Sequence, residues 1–253
     1  MPTPPPLALA YHGVSDVPPR EDPHGLFVRP RDLRRHIATL RRWGYELVTF
    51  GELAARAARG AHAGACALTF DDGFSDNLHA LVPLLEQEGA PATVFVVSGW
   101  LGRPHPDAPS ARIVTEAELR DLAARGIEIG GHTATHPDLT TLTAEAAREE
   151  LATGRAALEA ITGRAVDVLA YPYGRATPEV AAAAAAAGFR AACRTSGNGA
   201  WDRPLDLPRQ DVGNRTTMLG LRLRRDDRYE PLVRHLPARA VRRAAHAVKG
   251  LGR

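Results

Sequence analysis

Short apolar runs alternate with amphipathic stretches along most of this chain, and that alternation limits the folds open to it. LALAYH (7–12) reads as a strand. PRDLRRHIATLRRWG (30–44) reads as a helix with Leu33, Ile37, Leu40 and Trp43 on one face and Gly44 as its stop. The pattern continues with strands at ELVTF (46–50), ACALTF (65–70), ATVFVV (92–97), IEIGG (127–131), VDVLAYP (166–172) and RAACRT (190–195). Between them lie helical segments at 51–58, 77–89, 115–126, 144–163 and 178–189, with a Pro-rich loop over 103–110. The 115–126 segment opens on Thr115 with Glu118 three places on, a capping-box signature. Strands separated by helices predict βα units and a mainly parallel sheet. About seven units fit before residue 212, so a closed or nearly closed (β/α) barrel is expected, with an open doubly wound sheet as the alternative. In either fold, ligands are met where strands exit at their C-terminal ends.

The chain has 253 residues, 44% of them hydrophobic, enough for one large α/β core. No run of 18 apolar residues occurs, so no transmembrane helix is expected. The N-terminus, MPTPPPLALAYHGV, lacks a basic n-region and a long h-region, which leads to the expectation of a cytoplasmic protein. Cys66 and Cys193 both sit in apolar strand-like runs and read as buried thiols. The net charge of +3 is unevenly spread: residues 215–253 hold eleven Arg or Lys against three acids, hence +8, which leaves −5 on residues 1–214. The first 214 residues show no basic stripe with interleaved aromatics, which argues against nucleic-acid binding.

Five sets of chemically capable residues stand at or near strand exits. Asp71 and Asp72 directly follow ALTF; two adjacent carboxylates can be a solvated turn, or a metal ligand beside a base. GGHTATHPDL (130–139) carries His132 and His136 four apart, and one short helical turn would point both imidazoles the same way. Two histidines and a carboxylate form a familiar three-ligand catalytic metal set that leaves a position for water. In AYPYGRATP (170–178), Pro172 and Gly174 flank Tyr173, a geometry that can free a backbone N–H for an anion or be an ordinary turn. His12 ends the first strand, where a polar edge is the ordinary reading. Arg209 follows Leu207-Pro208 in an arginine-rich chain and reads by itself as a surface charge. The coincidence of these sets at strand exits favours a metal site at one barrel mouth.

These residues resemble the polysaccharide deacetylases of carbohydrate esterase family 4, which share the NodB homology domain. The family's T-F-D-D-G motif stands here as Thr69-Phe70-Asp71-Asp72-Gly73, and its H-[ST]-x-x-H motif as His132-Thr133-Ala134-Thr135-His136. The R-x-P-[FY]-G motif appears as Ala170-Tyr171-Pro172-Tyr173-Gly174, with alanine where many members have arginine. No L-x-H follows Asp206-Leu207-Pro208-Arg209. The chain is similar instead to a permuted branch, typified by poly-N-acetylglucosamine deacetylases, whose L-x-x-Y-H strand comes first, here LALAYH. The resemblance covers residues 7 to about 213. It implies a deformed, incomplete TIM-like (β/α) barrel over 1–213; residues 214–253 read by their own pattern as a basic, helical extension.

For the site, the resemblance implies Asp72, His132 and His136 as metal ligands and Asp71 as base. It also implies His12 as general acid, Tyr173 as backbone oxyanion donor, and Arg209 as a stand-in for the missing arginine. Zinc is the expected ion, with Co, Ni or Mn as alternatives; it would lower the pKa of its water from 15.7 towards about 7. The expected reaction is hydrolysis of an N-acetyl group on an amino sugar, glycan or glycoconjugate. Hydrolysis of an O-acetyl ester or of a cyclic-imide or allantoin-type amide is an alternative, and a non-catalytic glycan-binding barrel is another. In the tail, Val233, Leu236, Val241, Ala244 and Val248 can line one helix face with Arg239, Arg242, Arg243 and Lys249 around it. That pattern suits a helix closing the bottom of the barrel or a frayed tail, and also allows peripheral contact with a membrane surface. Neither the oligomeric state nor the choice among polymeric, lipid-linked, nucleotide-linked and free substrates can be read from the residues.

Overall fold

The computed structural model describes residues 3–18, 20–195 and 199–229. Among them the expected alternation is realised as a nearly closed barrel of eight parallel strands with helices outside. The strands are β1 (Leu7–Tyr11), β2 (Glu46–Val48), β3 (Ala65–Phe70), β4 (Thr93–Val96), β5 (Glu128–Gly131), β6 (Val168–Ala170) and β7 (Ala191–Arg194). Two short pieces, Leu207–Pro208 and Gln210–Asp211, flank Arg209 and together act as β8. The helices are α1 (Pro30–Arg42), α2 (Phe50–Ala58), α3 (Val82–Glu88), α4 (Glu116–Ala124), α5 (Ala144–Thr162), α6 (Pro178–Ala186) and α7 (Met218–Arg225).

β8 closes the ring by changing partner at a single residue. Leu207 and Pro208 pair with Cys193 and Arg194 of β7, while Gln210 and Asp211 pair with Leu9 and Ala10 of β1. The one split in the sheet lies beside β3, whose lower half pairs with β2 and whose upper residues, Thr69 and Phe70, pair with β4. The Glu128 carboxylate bridges that split, accepting from Thr93 Oγ1 at 2.6 Å and from the Gly51 N–H at 3.0 Å.

Side chains alternate across a strand, so the barrel has two cores. Ala8, Val48, Ala65, Ala67, Phe95, Val168, Ala170, Ala191, Cys193 and Leu207, with Phe50, Leu53 and Ala54 of α2, form the inner cluster. Leu7, Leu9, Tyr11, Cys66, Leu68, Phe70, Val94 and Val96 belong to the cluster shared with the helices. Alanines dominate the inner positions, which leaves lumen space for the Phe95 ring and the Arg209 guanidinium 5.2 Å above it. Both cysteines are free and buried, and burial pushes the Cys193 thiol up to about 12.

Two local expectations need adjustment. The helix expected over 77–89 begins as a π turn, Asn77–Leu81, and becomes α-helical only at Val82. Pro83, with no N–H to give, stands at this change of register. The Pro-rich loop contains an antiparallel hairpin, Pro104–His105 with Ala108–Arg112. In the first part of the extension, α7 buries Leu221 and Arg224, the Arg224 Nε–H donates to the Asp211 carbonyl, and the Arg225 guanidinium lies 4.5 Å from the Trp43 ring. The tail face from Val233 to Val248 lies outside the described residues. No helix among those described is long and apolar enough to cross a membrane.

Candidate active site

Ala65, Ala67 and Thr69 are alternate residues of β3, and Asp71 occupies the next position in that series, at the barrel mouth. Its neighbour Asp72 would face the opposite side if the strand simply continued. The chain instead turns sharply, with Asp72 at φ 70 and Gly73 at φ 79. This left-handed step costs a non-glycine residue about 1–3 kcal/mol. It brings two successive carboxylates to one site, both only 4% exposed.

The histidines come from the exit of β5. His132 extends the ladder by one bond, its N–H donating to the Val96 carbonyl at 3.0 Å. No helical turn follows, contrary to one form the spacing allowed; Thr133 and His136 both have positive φ, 69 and 63. Thr133 Oγ1 accepts from the His136 N–H at 2.9 Å and folds the loop back. His132 Nδ1 lies 2.7 Å from the Ala170 carbonyl, which can only accept, so in the neutral ring Nδ1 carries the proton and Nε2, toward Asp72, is the nitrogen with the lone pair.

Asp72 Oδ1 lies 3.6 Å from His132 Nε2 and 3.9 Å from His136 Nε2, too far for hydrogen bonds. The three residues offer one donor atom each, all within 4.8 Å of one another. Tetrahedral coordination with bonds of about 2.0–2.1 Å separates donors by roughly 3.3 Å, so the residues present fit a divalent ion such as zinc. Burial, and then the neighbouring His132, push the His136 imidazole down to about 4, which leaves it neutral at pH 7 as a ligand must be.

Helix α5 supports this loop through Gly154. A Cβ there would lie 2.7–2.9 Å from backbone atoms of Thr133 and Ala134. Gly154→Ala is therefore expected to lower stability by about 1–3 kcal/mol through overpacking, and to weaken metal binding by displacing the loop between the two histidines. Thermal melts of the metal-free protein and a metal titration check the two effects separately.

Asp71 is gripped by Arg209. Nη1 donates to Oδ1 and Nη2 to Oδ2, each at 2.7 Å, while Nη1 also reaches Thr69 Oγ1 and Nη2 reaches Thr195 Oγ1. Arg209 is wholly buried, so it is not the surface charge that its local sequence suggests. The inward position of β6 is filled by Ala170, and the guanidinium arrives from the closing strand β8 instead. Burial alone would raise the Asp71 carboxyl, but the charge and hydrogen bonds of Arg209 outweigh it and hold the group below the ordinary carboxylate range. Burial likewise opposes ionisation of Asp72. The His105 hydrogen bond and the charges of His12 and His132 reverse that effect and hold Asp72 well below its usual value.

His12 follows β1, half-buried, near enough for its charge to lower both carboxyls. Tyr173 has φ 57 and a 61% exposed side chain, with its ring 4.8 Å from that of His136. Two further residues of this mouth escaped the sequence reading. Trp100 packs its ring 5.0 Å from His136, and His105 contacts Asp72. His105 lies in a Pro-rich stretch with no motif around it, and only the folded hairpin brings it to the site.

The polysaccharide deacetylase family profile matches residues 58–192, more than half of the chain, and the chain belongs to that family. The match contains Asp71, Asp72, His132, His136 and Tyr173, whereas His12 and Arg209 lie outside it. Among curated relatives, YxkH of Bacillus subtilis is 28% identical over 184 residues, covering 72% of this chain and 61% of that protein. A chitooligosaccharide deacetylase of Bradyrhizobium is 31% identical over 140 residues, covering 54% of this chain and 58% of that one. The chain thus spans less than two thirds of the length of either relative. The Streptococcus pyogenes deacetylase PplD, solved with acetate, has the same fold, with a TM-score of 0.73 at 23% identity over 87% of this chain and 97% of that one.

Proposed function

We propose that this protein is a metal-dependent deacetylase that hydrolyses the N-acetyl group of an amino sugar within a glycan or glycoconjugate. The observation that carries the reading is the convergence of Asp72, His132 and His136 beside an Arg209-clamped Asp71 at one barrel mouth. The Bradyrhizobium relative's name, chitooligosaccharide deacetylase, supports the substrate class.

Asp72, His132 and His136 would hold the ion, zinc or a similar first-row metal. Once bound, it would polarise the acetyl carbonyl and make water nucleophilic at neutral pH. Asp71, ionised and acceptor-only, takes the proton from the attacking water. Arg209 keeps that carboxylate charged and fixes both of its oxygens. The backbone N–H of Tyr173 is the oxyanion donor; losing one such donor costs roughly 3–4 kcal/mol in comparable sites. His12 gives a proton to the departing amine, which cannot leave as an amide anion.

The test is acetate release from a panel of N-acetyl sugars, free, nucleotide-linked and polymeric, with zinc- or cobalt-loaded protein. Release only from O-acetyl esters would overturn the amide reading. Metal and glycan binding without any release would make the protein a binder. His12→Ala is expected to lower kcat on the amide by about 10²–10⁴-fold, and to do much less on an aryl acetate, whose leaving group needs no proton. Equal losses on both substrates would remove His12 from the acid role.

A further inference from the structure

The geometry points to His105 as a positioning residue that holds the ligand carboxylate of Asp72 in its metal-binding orientation; the inference rests on the metal reading above. The Asp107 N–H donates to His105 Nδ1 at 3.0 Å, so in the neutral ring the proton sits on Nε2. Nε2 lies 3.2 Å from Asp72 Oδ2 and donates to it. The other oxygen, Oδ1, is the one nearest His132 and His136. One carboxylate thus has one oxygen tied to His105 and the other available for an ion.

The ring has little freedom to do otherwise. It is 3% exposed, stacked on Phe74 at 4.7 Å and 24°, with the Trp100 ring edge-on at 5.2 Å. Its hairpin is laced to the carboxylate loop: the Val114 N–H donates to the Gly73 carbonyl, and the Ser75 N–H to the Arg112 carbonyl, both at 2.9 Å. Phe74 and Ile113 form a bridge between these two bonds. The imidazole and the carboxylate it holds therefore belong to one rigid frame. Partners that orient a ligand in this way commonly contribute 10–100-fold in metal affinity.

The experiment measures zinc affinity of the full chain by competition with a chromophoric chelator, for the wild type, His105→Phe and His105→Gln. Phenylalanine preserves the stack between Phe74 and Trp100 but cannot donate; the glutamine amide can place an N–H near Nε2. His105→Phe is expected to bind zinc 10–100-fold more weakly, with His105→Gln within a few-fold of wild type. Wild-type affinity in His105→Phe, or loss in His105→Gln alone, would show that His105 only fills space and would overturn the inference. A wild type that binds no zinc would overturn the metal reading itself, and the inference with it. Should His105→Phe not fold, His105→Met takes its place with the same outcomes.

Discussion

Asp71→Asn is expected to lower kcat for acetate release by about 10²–10⁴-fold, the range of a general base, while one zinc per chain is retained. Asp72→Asn is expected to lose the zinc as well as the activity. The division follows from the geometry: Oδ1 of Asp72 faces the two imidazoles, whereas both oxygens of Asp71 are engaged by Arg209. Asp71→Asn also leaves a buried guanidinium facing a neutral amide, so its melt has to be measured beside its activity. Equal zinc loss in the two variants, measured by metal analysis after dialysis, would refute the separate roles.

Arg209→Met is expected to be the most destabilising single change near the site. Removing one partner of a buried ion pair costs about 3–5 kcal/mol, because the remaining charge stays desolvated. Asp71 is 4% exposed and Arg209 wholly buried, and the guanidinium also supports Thr69 and Thr195. Without it, burial is the dominant influence on Asp71, and its carboxyl should move up instead of down. Loss of stability in denaturant melts should therefore come with an acid limb of the activity profile shifted to higher pH. The double variant Arg209→Met with Asp71→Leu, which removes both charges, should recover much of the stability but none of the activity. An Arg209→Met protein as stable and as active as wild type would show that the pair is dispensable.

Much of the barrel was legible because it is written locally. Strand β3 is found over Ala65–Phe70, as its apolar run suggests, and Thr115 and Glu118 form the capping box that their spacing signals. The carboxylates and histidines were legible for the same reason, since each pair lies within five residues. The hairpin at 104–112 was not, because its strands are short and its ladder is completed by residues 73–75. His105 was hidden with it. Arg209 was visible as a residue, but nothing local separated it from a surface charge, because its partner Asp71 lies 138 positions away.

By itself, then, the sequence determined the fold class, the strand exits and the chemistry available there, since period and motif are short-range properties. Only the tertiary structure decided which groups meet. The left-handed step at Asp72 sends two neighbouring carboxylates to one site. The change of partner in β8 at Arg209 both closes the barrel and delivers the guanidinium to Asp71. The second depends on closing the ring, and ring closure joins residues that no local pattern relates.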